Sequence, residues 1–271
     1  MDQDLNQSKI DNLLNDGYSF NPTDFVSKAF TIVNKNAGMF IGFTVVYMII
    51  SSVLGNIEQA IFGQVNLSIL STILQAILIP GYFIVARRIN QGKPIEFKHF
   101  FEGSKKAANL IGVSVLIRII SILPFIPVLV SLFMNDNIMD QMVDFYQGLA
   151  RGRFDIPVIS SMSVILFLVG IVGSLYIGII YFFAIPLACF TKLGVWDAME
   201  TSRKVASMKV FPILGLSLLN MLLILGGILM LIIGIIYMLP VVLVTTYVAF
   251  DAVFKLEEDE DGIEITDHFV G

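Results

Sequence analysis

Arg118 has the clearest capacity for chemistry in this sequence, because it stands alone in an apolar stretch. It lies about eight residues, or roughly 12 Å, into an uncharged helical run that follows Asn109. An arginine inside a membrane costs about 2.5–3.5 kcal/mol on insertion scales, so it usually faces protein, water or a headgroup. We therefore predict an anion or lipid-headgroup site here. The alternative is that Arg118 reaches the membrane surface or makes a structural hydrogen bond.

The predicted site takes its uncharged polar groups from neighbouring apolar stretches. These groups are Tyr47, Ser114, Ser217 and Asn220. Their hydroxyl and amide groups can donate hydrogen bonds to an anion. A continuous polar path along these residues would favour transport of a solute, whereas a dry, packed centre would oppose it.

Groups for catalysis or metal binding are scarce. The chain has one cysteine, Cys189, and two histidines, His99 and His268, which argues against a disulfide or a histidine metal centre. The apolar stretches hold no pair of carboxylates for acid–base chemistry, and no hydrolase or nucleotide-binding motif is present. We predict no catalytic residue, no metal and no cofactor, so the protein is not expected to be an enzyme.

The elements that position these residues follow from composition. Of 271 residues, 56% are apolar and 14% are charged, against about 25% charged in a soluble domain. Mean hydropathy is +0.83. These values predict a membrane protein with several helical spans, and no polar segment is long enough to form a separate catalytic domain.

Six spans account for the apolar stretches, at about 37–54, 65–86, 110–133, 158–188, 210–226 and 228–250. We expect turns at Gly55–Glu58 and at Gly226–Gly227, where missing side chains permit them. The fourth span is expected to bend near Pro186.

Charge predicts the orientation of these spans. With six of them, every Lys and Arg except Arg118, Arg151 and Arg153 lies on the side of the two termini. Cytoplasmic flanks carry an excess of Lys and Arg. We therefore place the polar segment 1–22 and the acidic tail 255–271 in the cytoplasm and the loop 134–157 outside.

An internal repeat organises the membrane domain at 23–254. The segments IGFTVVYMII at 41–50, IGVSVLIRII at 111–120 and LGLSLLNMLL at 214–223 align without gaps. Each follows an amphipathic stretch, at 23–36, 94–109 and 195–209, and each returning span carries a proline: Pro80, Pro186 and Pro240. The predicted fold is an all-α polytopic bundle of three parallel repeats, each an interfacial amphipathic helix plus a helical hairpin.

The amphipathic stretches are predicted to lie in the headgroup layer. Their apolar faces carry aromatic residues that would anchor them: Phe25, Phe30, Phe97, Phe100, Phe101 and Trp196. Their Lys and Arg residues would attract anionic lipid. The alternative is that these stretches are ordinary elbow helices that hold the bundle together.

Several segments carry a resemblance to a known family. They are FNPTDF at 20–25, SKAF at 27–30, WDAMETS at 196–202 and LPVVLVTTY at 239–247. Over about residues 20–254 the chain resembles a bacterial six-helix integral membrane family that includes the membrane domain attached to some glycerophosphoryl diester phosphodiesterases. The resemblance implies a bacterial inner-membrane location. The hydrolase domain has no counterpart here, so its activity is not implied.

These observations predict a non-enzymatic inner-membrane protein that organises lipid or acts as a scaffold or accessory subunit of a membrane complex. The alternative is a transporter or permease-like subunit for a hydrophobic or anionic solute. The expected partners are anionic headgroups of the cytoplasmic leaflet, with a membrane protein as a further candidate. Nucleic acid is not expected, because the basic residues are spread along membrane-facing elements.

Overall fold

The computed structural model describes residue 13 and residues 17–63, 68–134, 137–154 and 156–254. The acidic tail and most of the segment 1–22 lie outside the described residues. All regular elements in this part of the chain are helical. The α-helices are α1 Pro22–Lys35, α2 Ala37–Phe62, α3 Ile69–Asn90, α4 Ala107–Ile122, α5 Ile126–Met134, α6 Ile138–Ala150, α7 Ser161–Ile180, α8 Ala184–Phe190, α9 Val195–Ser207, α10 Val210–Leu229 and α11 Leu231–Phe254, and the 3₁₀ helices are Phe97–Lys106 and Leu123–Phe125.

Six helical stretches are long and apolar enough to cross a membrane. They are Ala37–Phe62, Ile69–Asn90, Phe97–Met134, Ser161–Phe190, Val210–Leu229 and Gly234–Phe254. The described residues therefore confirm the predicted all-α polytopic membrane bundle.

The chain forms two compact units, and each is described by itself. The first unit comprises residues up to Val115 and from Ile179 onwards, and the second comprises Leu116–Gly178. Both unit boundaries fall inside helices, within α4 and within α7.

The turn predicted at Gly55–Glu58 is wrong, because α2 runs without a break to Phe62. A glycine inside an apolar helix costs only about 1 kcal/mol, which packing readily offsets. Glu58 is buried, and its carboxylate accepts hydrogen bonds from the Leu70 and Ser71 N–H groups and, at 2.6 Å, from the Ser71 hydroxyl. The first turn of α3 thus supplies the partners that a buried acid needs.

The turn between α10 and α11 also differs from its prediction. The chain reverses at Met230 and Leu231, and Leu231 takes a positive φ of 61°. Gly227 instead packs against the backbone of Gly234 across the hairpin, where a Cβ on Gly227 would lie 3.0 Å from the Gly234 carbonyl oxygen. The glycine therefore permits close helix packing rather than the turn.

The fourth span breaks close to the predicted position. The turn at 181–183 separates α7 from α8, and a proline ring clashes with the carbonyl four residues before it, here that of Phe182. Ser202 of α9 satisfies the backbone groups at this break. Its hydroxyl accepts from the Phe183 N–H at 3.1 Å and donates to the Ile180 carbonyl at 3.0 Å.

Each amphipathic segment of the first unit packs on the end of a returning span. The 3₁₀ helix Phe97–Lys106 packs on α3, α9 packs on α8, and α1 packs on α11, so the first repeat closes onto the third. In all three pairs one contact lies three residues before the proline: Gly103 against the Ile77 carbonyl, Ser202 with the Phe183 N–H, and Asn34 with the Tyr237 hydroxyl. These equivalent contacts support the predicted repeat.

The three returning spans also contact one another. α3, α8 and α11 meet pairwise, and half of the most apolar stretch of α3 is buried, against 17% for α2. Aromatic side chains fill the contacts between them. Phe190 of α8 stacks on Phe250 of α11 with ring centres 5.8 Å apart, and the tilted ring of Tyr247 lies at the same distance from Phe190.

The amphipathic stretch at 94–109 is a 3₁₀ helix rather than an α-helix. It crosses α3 so closely that a Cβ on Gly81 would overlap the carbonyl oxygen of Phe100. The Phe100 ring then stacks on Phe43 with centres 4.4 Å apart and is fully buried. This close backbone contact fixes the segment that leads to Lys106.

Candidate functional site

The residues of the predicted anion site belong to different units. Arg118 lies in the second unit, where its side chain is exposed and no described residue of that unit accepts a hydrogen bond from it. The other four residues lie in the first unit. A shared site of these five residues remains a prediction.

Two of those four residues carry buried polar atoms that lack a partner. The Ser114 hydroxyl and the Asn220 carbonyl oxygen have no hydrogen-bond partner among the described residues. Ser217 donates to the Ile213 carbonyl of its own helix at 3.0 Å. Tyr47 is partly buried on α2.

The anchor role predicted for Phe25 and Phe100 is wrong, because both side chains are buried inside protein, at 3% and 0% exposure. The returning spans cover the apolar faces of the amphipathic segments. Phe30 is partly buried, with its ring centre 6.2 Å from that of Tyr237.

Three of the predicted anchors do reach the surface of the protein. Phe97, Phe101 and Trp196 are exposed, and Trp196 is exposed to 67%. Their insertion into a headgroup layer remains a prediction. The alternative of elbow helices accounts for Phe25, Phe30 and Phe100, since the amphipathic segments that carry them hold the returning spans together.

The structure brings basic side chains together at one end of the first unit, here called the basic end. It is built from Arg87 in the last turn of α3, Lys106 at the end of the 3₁₀ helix, and Phe190–Leu193 at the end of α8. Arg87 lies over the Phe190 ring, and Lys106 donates to the carbonyl of the adjacent Thr191, so both basic side chains lie at the end of α8.

Lys106 is held by the end of α8. Its ammonium group donates to the Thr191 carbonyl at 2.6 Å, and Asn109 donates to the Leu193 carbonyl at 3.2 Å. The last carbonyls of a helix lack partners within it and carry partial negative charge. The partly buried lysine therefore has a favourable position, with one of its three N–H groups in use.

Arg87 stacks on an aromatic ring. Its guanidinium carbon lies 5.4 Å from the centre of the Phe190 ring, within the range of a cation–π contact. Its Nε atom is buried and has no hydrogen-bond partner among the described residues.

Acidic residues near these elements have other partners among the described residues. The ion pairs of the first unit include Asp24–Lys28 at 3.0 Å, Glu96–Lys98 at 2.9 Å, Glu102–Lys105 at 3.3 Å, and Glu200 with Arg203 at 2.7 Å and with Lys204 at 3.7 Å. Asp251 of α11 accepts a hydrogen bond from the Asn90 amide of α3 at 3.4 Å. Hydrogen bonds from Lys98 and Arg203 lower the pKa values of Glu96 and Glu200 respectively. Neither Arg87 nor Lys106 has a carboxylate partner in this part of the chain.

This arrangement suits the binding of an anion. In the part of the chain that the structure describes, no group of three or more His, Cys, Asp or Glu side chains could hold a metal ion. The basic end offers donors and positive charge beside an aromatic ring, which is the chemistry that recognises phosphate or carboxylate.

Sequence reasoning missed the special position of Arg87 and Lys106. It counted both only among the basic residues of one membrane side. Each stands next to a residue of the same charge, Arg88 and Lys105, and a single sequence does not show which member of such a pair points into the protein. Only the packing of the folded chain distinguishes Arg87 from Arg88 and Lys106 from Lys105.

The fold defines an integral membrane protein with six candidate helical spans. Comparisons of the chain with protein-family models, curated proteins and solved structures find no match. Function is therefore argued from the site.

Proposed function

We propose that this protein is a non-enzymatic component of a bacterial inner membrane that organises anionic lipid at its basic end, which faces the cytoplasm. One observation carries the proposal: Arg87 and Lys106 are partly buried against adjacent residues at the end of α8 and lack a carboxylate partner among the described residues. An unpaired cation held away from water costs free energy, so we expect an anion from outside the protein to pair with these side chains.

Membrane lipid is the nearest source of anions for the basic end. The inner leaflet is anionic, and each Lys or Arg near such a surface contributes about 1 kcal/mol to attraction. The basic end lies at the ends of candidate spans, where headgroups are found. The bias of Lys and Arg toward one side supports its orientation to the cytoplasm.

A second candidate is a transporter or permease-like subunit for a hydrophobic or anionic solute. The unpartnered Ser114 hydroxyl and Asn220 carbonyl oxygen support it, because polar atoms within apolar spans often line a solute path. A scaffold or accessory role in a membrane complex is the third form of the proposal.

Extraction into native membrane discs followed by mass spectrometry tests these roles. We expect an anionic lipid at stoichiometric amount and enriched over the surrounding membrane. A stoichiometric protein would instead assign an accessory role, and a lipid composition equal to that of the bulk membrane would overturn lipid organisation.

Orientation is tested with a single accessible thiol. Cys189 is the sole cysteine of the chain and is buried, so a cysteine introduced as Lys93→Cys reports by itself. We expect labelling only after the cytoplasmic side is opened to the reagent. Labelling of intact cells by an impermeant reagent would overturn the proposed orientation.

A further inference from the structure

The hydrogen-bond donors of Arg87 are unused. A guanidinium group has five N–H donors, and Arg87 donates to no described residue although its Nε atom is buried. Buried donors are almost always satisfied, and leaving one unmade costs about 1–3 kcal/mol. A group outside the described residues is therefore expected to accept these bonds.

The Phe190 ring lies beside the guanidinium group, with 5.4 Å between the guanidinium carbon and the ring centre. A cation–π contact of this kind uses the positive charge and does not require an N–H donor. The donors of Arg87 can therefore form the planar fork that matches two oxygen atoms of one anion.

Lys106 supplies a second charge from a different element. One of its N–H groups is held by the Thr191 carbonyl, which leaves two for a ligand. Arg87 contacts the Phe190 ring, and Lys106 donates to the carbonyl of the adjacent Thr191. The two cations thus lie against neighbouring residues at the end of α8.

We propose that Arg87 and Lys106 together bind a phosphate group, with Arg87 contacting two of its unesterified oxygens and Lys106 contacting one of the same two. For lipid as the source of that phosphate, the inference rests on the proposed function. A free phosphate ion offers the same chemistry. Each unesterified phosphate oxygen accepts more than one hydrogen bond, so a lysine from a separate element can share an oxygen with the arginine fork.

The neighbours of these two residues are matched control positions. Arg88 donates to the Pro94 carbonyl at 3.3 Å, and Lys105 pairs with Glu102. Replacing either one removes the same charge from the same turn. A purely long-range electrostatic effect would therefore follow all four replacements equally.

The test uses the full chain in discs of neutral phosphatidylcholine, with and without phosphatidylglycerol. Native mass spectrometry counts bound phosphatidylglycerol, and a titration measures the affinity for inorganic phosphate. We expect Arg87→Gln and Lys106→Gln to weaken binding about ten-fold or more, the effect of losing one charge-assisted contact. Arg88→Gln and Lys105→Gln should change it less than about two-fold.

The two probes distinguish the source of the phosphate. Loss of phosphatidylglycerol binding in Arg87→Gln and Lys106→Gln identifies a lipid headgroup. In another outcome, Arg87→Gln and Lys106→Gln lose inorganic phosphate binding while the unchanged protein shows no preference for phosphatidylglycerol. That result supports the site but overturns the proposed lipid function. Enrichment of phosphatidylglycerol that persists equally in all four variants overturns the site and leaves the proposed function standing.

Folding is checked by the thermal midpoint in neutral discs. If Arg87→Gln does not fold, Arg87→Lys replaces it, because lysine keeps the charge but lacks the planar fork. We expect Arg87→Lys to bind phosphate several-fold more weakly than the unchanged protein and Lys106→Gln to bind it about ten-fold more weakly. Equal affinity in Arg87→Lys and the unchanged protein would overturn the two-oxygen contact.

A last variant tests the acidic run at 257–261, with its acidic residues replaced by Gln. Phosphate binding that appears only in this variant would assign the site to the tail and overturn the proposal.

Discussion

The two units of this protein bury their residues differently. In the first unit, large side chains such as Tyr82, Tyr247 and Phe183 are completely enclosed. In the second unit, the buried residues of the described part are Val128, Ser131, Gly148, Ser163 and Gly170. Large apolar side chains there stay outside, with Phe154 and Ile156 each exposed to 78%.

The difference shows what holds each unit together. Large enclosed side chains give the first unit a packed core of the kind found in soluble proteins. The second unit depends on small residues and hydroxyl groups that allow close approach, which is typical of helix contacts within a membrane. There, Gly170 packs on Phe125, and Ser131 bonds Ser163 at 2.7 Å.

The largest expected effect comes from Gly81 in the first unit. Gly81→Ala places a Cβ on the carbonyl oxygen of Phe100, and neither backbone can yield, so we expect a loss of about 3 kcal/mol or more, or no folded protein. The matched change Gly173→Ala in the second unit meets the Pro124 side chain at 2.9 Å and should cost about half as much. The midpoint of thermal unfolding in detergent measures both.

Gly55→Ala is the control for these glycines, because nothing lies within 4 Å of the added Cβ. It should be neutral or stabilise by up to about 1 kcal/mol, since alanine favours a helix. A midpoint for Gly81→Ala that equals that of Gly55→Ala would contradict the close contact of the 3₁₀ helix with α3.

Loss of the Ser202 hydroxyl is expected to rank second. Ser202→Ala leaves the Phe183 N–H and the Ile180 carbonyl without their partner at a buried break, which should cost about 2 kcal/mol. Ser207→Ala removes an exposed hydroxyl that bonds only its own helix and should change the free energy of unfolding by less than about 0.5 kcal/mol. Equal effects of the two changes would argue against the bridge.

A smaller effect is expected from the serine pair of the second unit. A double-mutant cycle of Ser131→Ala and Ser163→Ala should give a coupling energy of about 0.6–1 kcal/mol, as for other hydrogen bonds between membrane helices. Hydrogen exchange should increase within 116–178 and not in α3. Faster exchange throughout α3 would show that the two units do not respond separately.

The smallest effect concerns pH and the Glu200–Arg203 pair of α9. The hydrogen bond from Arg203 lowers the pKa of Glu200 below its ordinary value of 4.5. Its stabilising contribution is therefore present above pH 4.5 and is lost as the pH falls through the lowered pKa. Because the pair is exposed, the contribution should be under about 1 kcal/mol.

The variant Arg203→Gln measures this contribution. Its thermal midpoint should lie slightly below that of the unchanged protein near neutral pH. The gap should close in acid, once the pH is below the lowered pKa of Glu200 and the carboxylate is protonated in both proteins. A gap that widens in acid would contradict the assignment of the shift to Arg203.

Much of the fold could be predicted because the relevant patterns are local. Amphipathic periodicity places helices at 23–36 and 195–209, and α1 and α9 begin within one residue of these positions. The turn at Gly55–Glu58 failed because the partners of Glu58 come from the start of α3, beyond the reach of a local pattern. The 3₁₀ form of Phe97–Lys106 likewise depends on Gly81, which belongs to another helix.

The candidate site was harder to predict than the fold. An arginine in an apolar stretch is visible in the sequence, so Arg118 was singled out. Arg87 and Lys106 lie among other basic residues, and their distinction is that both contact the end of α8, at Phe190 and at Thr191. Contact of this kind is set by packing, which composition does not report.

Composition and periodicity alone establish a helical membrane protein with three similar repeats, because apolar length and helical period act over a few neighbouring residues. They do not separate helix faces that meet protein from faces that meet lipid, since lipid tails and a protein interior are equally apolar. Only the contacts of α3, α8 and α11 with distant segments enclose Phe25 and Phe100 and bury the Nε atom of Arg87 without a hydrogen-bond partner among the described residues.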